Sequence, residues 1–450
     1  MTRRTGILGG GALGLTLAYR LAGAGDKVTV IEREPEPGGL AAGFRVGPAS
    51  LEKFYHHIFR SDRAVARLIE EVGLGEHMAW PRPVTAWLVN GEIRQFDSAR
   101  SLLRYKPLRF HDRLRMGAVM AYLKLEKSHT RLEGKTADAW LRTWMGTRGY
   151  ETQWEPLFRS KFHQHYAHIA MPWFWSRIHL RSQRLGYLRG GFQQLYDRLA
   201  ELIEQRGGEL RFRQSVSAIA GLPDGTVRVS VGQEDMCFDR VVSTLPTRVT
   251  MRLTSGLPSD YRERYDWGQA LGAHCLVLEL DRQFFDRRFQ EVYWLSINDA
   301  SYPFLAAVEH TNYMPPEDYG GRRLMYLGNY LPMDHPLFSR GLDEILGEFL
   351  PHLRRINPDF RDAWVTGAHA FSAPYAQPVV TPDFKDHIPP HDTPVPNLYL
   401  ANMFQVYPQD RGQNYSVAMA ERLACRLAGS RQSAVGSEEC TQRRECAPKR

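Results

Sequence analysis

The chain has 450 residues, 43% hydrophobic and 24% charged, the balance of a soluble globular protein with room for about two to three domains. A formal net charge of +8 is modest for this length and comes with no nucleic-acid-binding motif. Nucleic acid is therefore excluded as a partner, and anionic small molecules or surfaces are favoured. Cys237, Cys275, Cys425, Cys440 and Cys446 form no CxxC pair, which argues against a disulfide framework or structural zinc and for a reducing compartment, the cytoplasm.

No run approaches the roughly 18 to 20 apolar residues of a membrane-spanning helix. The opening "MTRRTGILGGGALG" sets arginines before an apolar stretch as a signal peptide does. It reads instead as a strand entering a turn, because a second strand, "DKVTVIE", follows on schedule. "TGILGGG", "ALGLTLAYRLAGAG" and "KVTVIERE" then make a compact βαβ unit.

Within it Gly9, Gly11 and Gly14 spell G-x-G-x-x-G between strand and helix. The first permits the tight turn, the second lets a pyrophosphate approach the backbone, and the third lets helix and strand pack closely. The helix N-terminus adds free N–H groups and partial positive charge. Glu32 ends the second strand 18 residues after Gly14, where a carboxylate accepts hydrogen bonds from a ribose diol. The pattern predicts a Rossmann-like dinucleotide site in an α/β fold.

From Leu102 to Leu125, apolar residues recur at helical spacing among Arg, Lys and His. Such a basic amphipathic stretch either lies on a membrane surface, as peripheral contact through 102–125, or packs over a substrate cavity, the plainer reading. "YETQWEPLFRSKFHQHYAHIAMPWFWSRIHLRSQ" then reads as a helical cap with bulky side chains inward. Arg177, Arg181, Arg184 and Arg189 thread its end among Trp173, Phe174, Trp175 and Tyr187. The run is either a solvated face or a site for a diphosphate and a stacking ring. His163, His165 and His168 lack carboxylate or cysteine partners nearby, so no metal site is expected.

Leu195, Leu199 and Ile203 share a helix face that Gly207 and Gly208 end. The strands "ELRFRQSV", "TVRVSVG" and "DRVVSTLP" follow, read as a second crossover. Residues 268–330 carry strands of an antiparallel sheet, and "PNLYLANMF" and "NYSVAMAERLACRL" close the chain's regular structure. The segments interleave. Residues 1–75, 185–250 and 385–429 are expected to form one discontinuous domain, 76–184 and 251–384 a substrate and cap domain, and 430–450 a disordered tail.

Glu32, Arg33, Gly38 and Gly39 spell ERxxxxGG. This resembles the FAD-binding extension (GR2 type) of the protoporphyrinogen oxidase, amine oxidase and phytoene desaturase superfamily. In that group the arginine and the glycine pair let the chain pass close to the cofactor; this sequence has Leu40 where many members have Arg. By the same resemblance Val216 holds the adenine with its backbone, and "LYLANMFQVYPQDRGQNYSVAMA" stands where the family's C-terminal FAD motif lies, with Asn402 at its usual acidic position. "YHHIFRSD", Tyr55 to Asp62, is similar to the HIF stretch of UDP-galactopyranose mutases, where the histidine matching His57 sits against the flavin. The spacing from Asn402 to Asp410 matches that subgroup too, although its Gly-Arg pair is Ala401-Asn402 here. Asn329, Tyr330 and Tyr375 fall where family members line the substrate cavity.

The resemblance implies an FAD-dependent oxidoreductase that removes hydride from a small-molecule substrate: a sugar, an amine, or an isoprenoid or tetrapyrrole-type metabolite. Its alternative is a mutase-like isomerase using reduced flavin on a nucleotide sugar. FAD is expected to contact Gly9, Gly11, Gly14, Glu32, Arg33, Gly38, Gly39, Leu40, Val216, Asn402 and Asp410, and catalysis to involve His57, Asn329, Tyr330 and Tyr375.

Overall fold

The computed structural model describes residues 2–432. Five parallel strands, Glu209–Arg211, Lys27–Ile31, Arg4–Leu8, Arg240–Ser243 and Leu398–Leu400, lie side by side in that order. Both central strands are exposed at their first residue and buried thereafter, as expected of a sheet covered on both faces. The Ala12–Gly23 helix, rich in Leu and Ala, packs on one face with the Gln193–Gln205 and Gln413–Gln432 helices.

The second crossover is built differently from the sequence reading. Val216–Gly221, Val227–Val231 and Glu234–Phe238 form a separate antiparallel meander, and only Arg240–Ser243 returns to the parallel sheet. Strands joined by two-to-five-residue turns pair with each other, because parallel pairing needs a longer crossover. The meander covers Leu8, Ile31 and Val241 with Ile219, Val229 and Phe238.

A seven-stranded sheet carries the other half of the core, in the order Val365–Pro378, Ala270–Leu280, Arg323–Leu331, Ala306–Glu309, Val292–Ile297, Val84–Val89 and Glu92–Gln95. Its neighbours are antiparallel except Val84–Val89 with Val292–Ile297. Alternation along Arg323–Leu331 divides the chain's chemistry. Tyr326 and Tyr330 join the core shared with the parallel sheet, whereas Met325, Leu327 and Leu331 pack beneath Ile345, Phe349 and Leu353 of the Leu342–Ile356 helix.

Residues 99–179 fold into helices, including Ala99–Leu103, Phe110–Leu125, Ala137–Met145, Glu155–Phe162 and Met171–His179, whose core also takes in Trp87, Val89 and Leu271 of the seven-stranded sheet. The inward side chains are aromatic, as expected: Trp154 meets Phe174 edge-on at 4.9 Å and Phe162 meets Trp173 at 5.1 Å. Each buried ring contributes about 1.5–3 kcal/mol through area removed from water. The expected tail from 430 starts too early, since the last helix runs to Gln432; its remainder, 433–450, lies outside the described residues.

Candidate active site

Two features stand out, a glycine-rich turn at the end of the parallel sheet and a cluster of cations around Asp410. At the turn, Gly9 has φ +107°, and a Cβ on Gly14 would stand 1.9 Å from the Gly9 carbonyl oxygen. Only glycine lets the helix begin this close to the strand. Gly11 is different. Nothing beyond its chain neighbours comes nearer than 3.9 Å to its Cβ position, and it heads the Ala12–Gly23 helix without any side-chain cap. The first-turn amides therefore present partial positive charge to open space.

The second glycine pair closes on the first: Gly38 N donates to Gly10 O at 2.8 Å, and a Cβ on Gly39 would lie 3.1 Å from Gly11 Cα. Leu40 stays half-buried on the same Gly39–Ala41 turn. Glu32 is buried and accepts from Gly10 N at 2.6 Å and Glu34 N at 2.9 Å, so its carboxylate fixes the turn while each oxygen keeps a second lone pair. Arg33 points outward and pairs with Glu34. Beside Glu32 runs the segment leading to Val216: Gln214 N donates to Glu32 O at 2.9 Å, and Gln214 Oε1 is buried without a protein partner. Asn402 is spent internally, donating to Leu245 O at 2.8 Å and accepting from Phe404 N at 3.0 Å, so it ties two turns together at the sheet's end.

The cluster centres on Asp410. Lys161 Nζ lies 3.6 Å from its carboxylate, Arg177 forms an ion pair with it, and Gln377 Nε2 donates to it at 3.1 Å. Arg411 donates through its backbone to Asp410 at 3.1 Å and through its guanidinium to Gln377 Oε1 at 2.6 Å and Tyr330 OH at 2.5 Å. Burial favours the neutral acid, but Lys161, Arg177 and Arg411 outweigh it and hold Asp410 below the usual carboxylate range. Burial, with Arg177 and Arg411, pushes the Lys161 pKa well down against the pull of Asp410.

Arg181 completes the group. It makes no ion pair among the described residues; enclosure by protein and the neighbouring Arg177 lower its pKa to about 10, while solvent still reaches it. His57 is pushed down to about 3, by burial first and then by Arg181, His56 and Arg177, so it is neutral at pH 7. Its Nδ1 is buried without a partner, and its ring stands edge-on to Phe59 at 5.3 Å and Trp294 at 6.0 Å. Tyr55 packs edge-on to Trp294 at 4.7 Å and fills the space above Gly328.

A family model for flavin-containing amine oxidoreductases matches residues 14–408, most of the chain. The chain belongs to this family. Among solved structures, the provisionally named protoporphyrinogen oxidase of Exiguobacterium sp. 255-15 is similar at TM-score 0.75 and 19% identity, covering 96% of this chain and 99% of its own. A reduced UDP-galactopyranose mutase matches at TM-score 0.74 and 15% identity, with 98% of this chain and 97% of that one covered. Putrescine oxidase bound to putrescine matches at 0.68 and 15%, with 95% and 99% covered. At these identities the likeness is one of fold. The protein is a flavoenzyme of the amine oxidoreductase family, and its cofactor is a flavin. The open Gly11, the uncapped helix and the orphaned Gln214 Oε1 fit such a group.

Not every residue singled out in the sequence reaches the flavoenzyme's cation cluster. Tyr330 and His57 do. Asn329 points to the opposite face of its strand, where its Nδ2 donates to Pro303 O at 2.9 Å, because neighbours on a strand alternate. Tyr375 sits at a bulge with φ +55° and accepts from surface Arg252 at 3.2 Å. Gln377, two residues on, is the one that turns inward. Of the four arginines, Arg177 and Arg181 join the cluster; Arg184 donates to Trp80 O and Arg189 pairs with Asp318. Lys161, Gln377 and Arg411 were not singled out. A buried lysine between aromatics and the Asp410-Arg411 pair beside the last helix were the signals available.

Proposed function

We propose that this flavoenzyme removes hydride from an anionic small molecule, held by Arg177 and Arg181 and oriented by Tyr330 and His57. One observation carries the reading: Lys161, Arg177 and Arg411 gather around a single carboxylate in ion-pair range, Asp410, and Arg181 beside Arg177 makes no ion pair among the described residues. Two unit charges about 4 Å apart near a protein surface interact by about 4 kcal/mol. A carboxylate or phosphate group entering here offsets an excess of like charge, and a protonated alkylamine adds to it.

In this reading FAD is held by Gly9, Gly11, Gly14, Gly38 and Gly39 at its pyrophosphate, with Glu32, Gln214 and Val216 at its adenosine end. Bound FAD supplies a two-electron acceptor for hydride from a carbon next to nitrogen, oxygen or an unsaturated system. Arg411 fixes the Tyr330 hydroxyl by donating to it, which leaves that hydroxyl's own proton to donate toward substrate. Neutral His57 contributes a hydrogen bond rather than a charge. The aromatic walls of Tyr55, Trp294 and Tyr330 exclude water from the reacting centre.

Anaerobic mixing with panels of carboxylated, phosphorylated and cationic amine substrates tests the reading by bleaching of the flavin bands. Bleaching by anionic compounds is expected; bleaching by amines alone would sink it. The adjacent Arg177 and Arg181 also suit the diphosphate of a nucleotide sugar, which carries the second reading, isomerisation without net oxidation. Turnover of a nucleotide sugar only after dithionite reduction is the outcome that selects it.

A further inference from the structure

Six of the eight exposed large hydrophobic side chains among the described residues, Leu103, Phe110, Leu114, Tyr122, Leu125 and Trp144, lie on three helices of one lobe. Its middle helix, Phe110–Leu125, has a buried stripe of Met116, Val119 and Leu123, which packs into the aromatic core. On its outer side Phe110, Leu114, Ala118, Tyr122 and Leu125 form a second apolar stripe at i, i+4 and i, i+3 spacing, and all are exposed, Leu125 at 76% and Phe110 at 61%. Trp144 joins this side from the Ala137–Met145 helix. Arg115 donates to its carbonyl at 2.7 Å, and Trp140 links it to Tyr122 by ring contacts at 5.8 and 6.2 Å.

Charge surrounds the stripe. Residues 99–131 hold nine arginines and lysines against two carboxylates, and one of those, Asp112, is buried. That excess is nearly the whole of the chain's net charge of +8. Arg100, Arg104, Lys106, Arg109 and Lys127 are exposed and make no ion pair among the described residues. An apolar stripe ringed by cations matches the two layers of an anionic bilayer surface, with acyl chains beneath and phosphates above. A second copy of this chain fits poorly, since a two-fold contact sets the same cations against each other.

We propose that this face docks on an anionic lipid surface, with Phe110, Leu114, Leu125 and Trp144 entering the headgroup region and Arg104, Lys106 and Arg109 meeting phosphates. No helix among the described residues is long and apolar enough to cross a membrane, so the contact is peripheral. The docking helix also touches the site: Lys124 Nζ donates to the carbonyls of His179 and Arg181 at 2.8 and 2.7 Å. The face therefore braces the turn that carries Arg181.

The test is sedimentation of FAD-loaded protein with phosphatidylglycerol-containing vesicles and with pure phosphatidylcholine vesicles. Binding to the anionic vesicles alone, weakened by salt, is expected. Each surface cation is worth about fivefold in partition, so Arg104→Glu/Lys106→Glu/Arg109→Glu should lower it about a hundredfold or more. Phe110→Ser/Leu114→Ser/Leu125→Ser should lower it at least tenfold, with flavin content and melting unchanged in both variants. No binding by the wild type, or equal binding to both vesicle types, overturns the proposal. So does a dimer, seen by light scattering, that the serine variant converts to monomer. The outcome is independent of which substrate the site accepts.

Discussion

Arg177 and Asp410 lie 233 residues apart and form an ion pair, joining the end of the Met171–His179 helix to the segment that enters the last helix. Among the described residues the pair consumes the one carboxylate in ion-pair range of the cluster, and Arg181 beside it forms no ion pair, with only Asp97 acting on it from farther off.

Arg181→Met should therefore raise KM for an anionic substrate by about ten- to a hundredfold, the worth of a charge-assisted hydrogen bond of about 1.5–3 kcal/mol. Arg181 makes no ion pair among the described residues, so melting temperature and flavin content should hold. Steady-state kinetics with the best substrate from the bleaching panel measure it, and an unchanged KM removes Arg181 from the site.

The glycines separate cofactor binding from folding. At Gly11 a side chain meets open space in the protein, whereas at Gly14 it meets the Gly9 carbonyl at 1.9 Å. Gly11→Val should yield folded protein whose flavin is lost on gel filtration, the absorbance near the flavin bands falling at least tenfold. Gly14→Val should fail to fold. Retained flavin in folded Gly11→Val refutes the placement of the pyrophosphate.

This part was legible in sequence because it is local. Gly9, Gly11, Gly14 and Glu32 lie within one βαβ unit, where spacing alone fixes the turn and the strand end. The cation cluster is not local: Lys161, Arg177, Tyr330, Gln377 and Arg411 come from five segments, and no periodicity links them. Tyr330 and Asn329 were equal in sequence, and only the register of their strand separates them. A bulge does the same between Tyr375 and Gln377. The stretch 102–125 read as either surface or cavity cover because its helix is apolar on two faces; the fold decides which face is free.

Glu52 is fully buried, accepting from Tyr187 OH at 2.7 Å and Phe192 N at 2.6 Å, and burial raises its pKa to about 7 against those two donors. The unfolded chain releases this proton near pH 4.5, so between there and 7 the folded state binds more protons and stability falls as pH rises. The loss is on the order of 3 kcal/mol. Glu52→Gln, which has no proton to release, should flatten the decline of melting temperature between pH 5 and 7. A wild type whose melting temperature rises across that interval, with Glu52→Gln rising less, contradicts the raised pKa.

Asp410→Asn tests the electrostatics of the cluster from the other side. It keeps the shape and the acceptor for Gln377, but leaves Lys161, Arg177 and Arg411 facing each other without a counter-ion. Breaking a buried pair by removing one partner costs about 3–5 kcal/mol, so a marked drop in melting temperature is expected. The deficit is one of charge rather than packing, so an anion that enters the site should restore it: phosphate or sulfate should raise the variant's melting temperature more than the wild type's. Chloride at equal ionic strength separates specific occupancy from general screening. A drop that no anion relieves would mean that Asp410 acts through its hydrogen bonds to Gln377 and the Arg411 backbone. In that case the cluster is a structural joint, and the anionic substrate must be held by Arg181 alone.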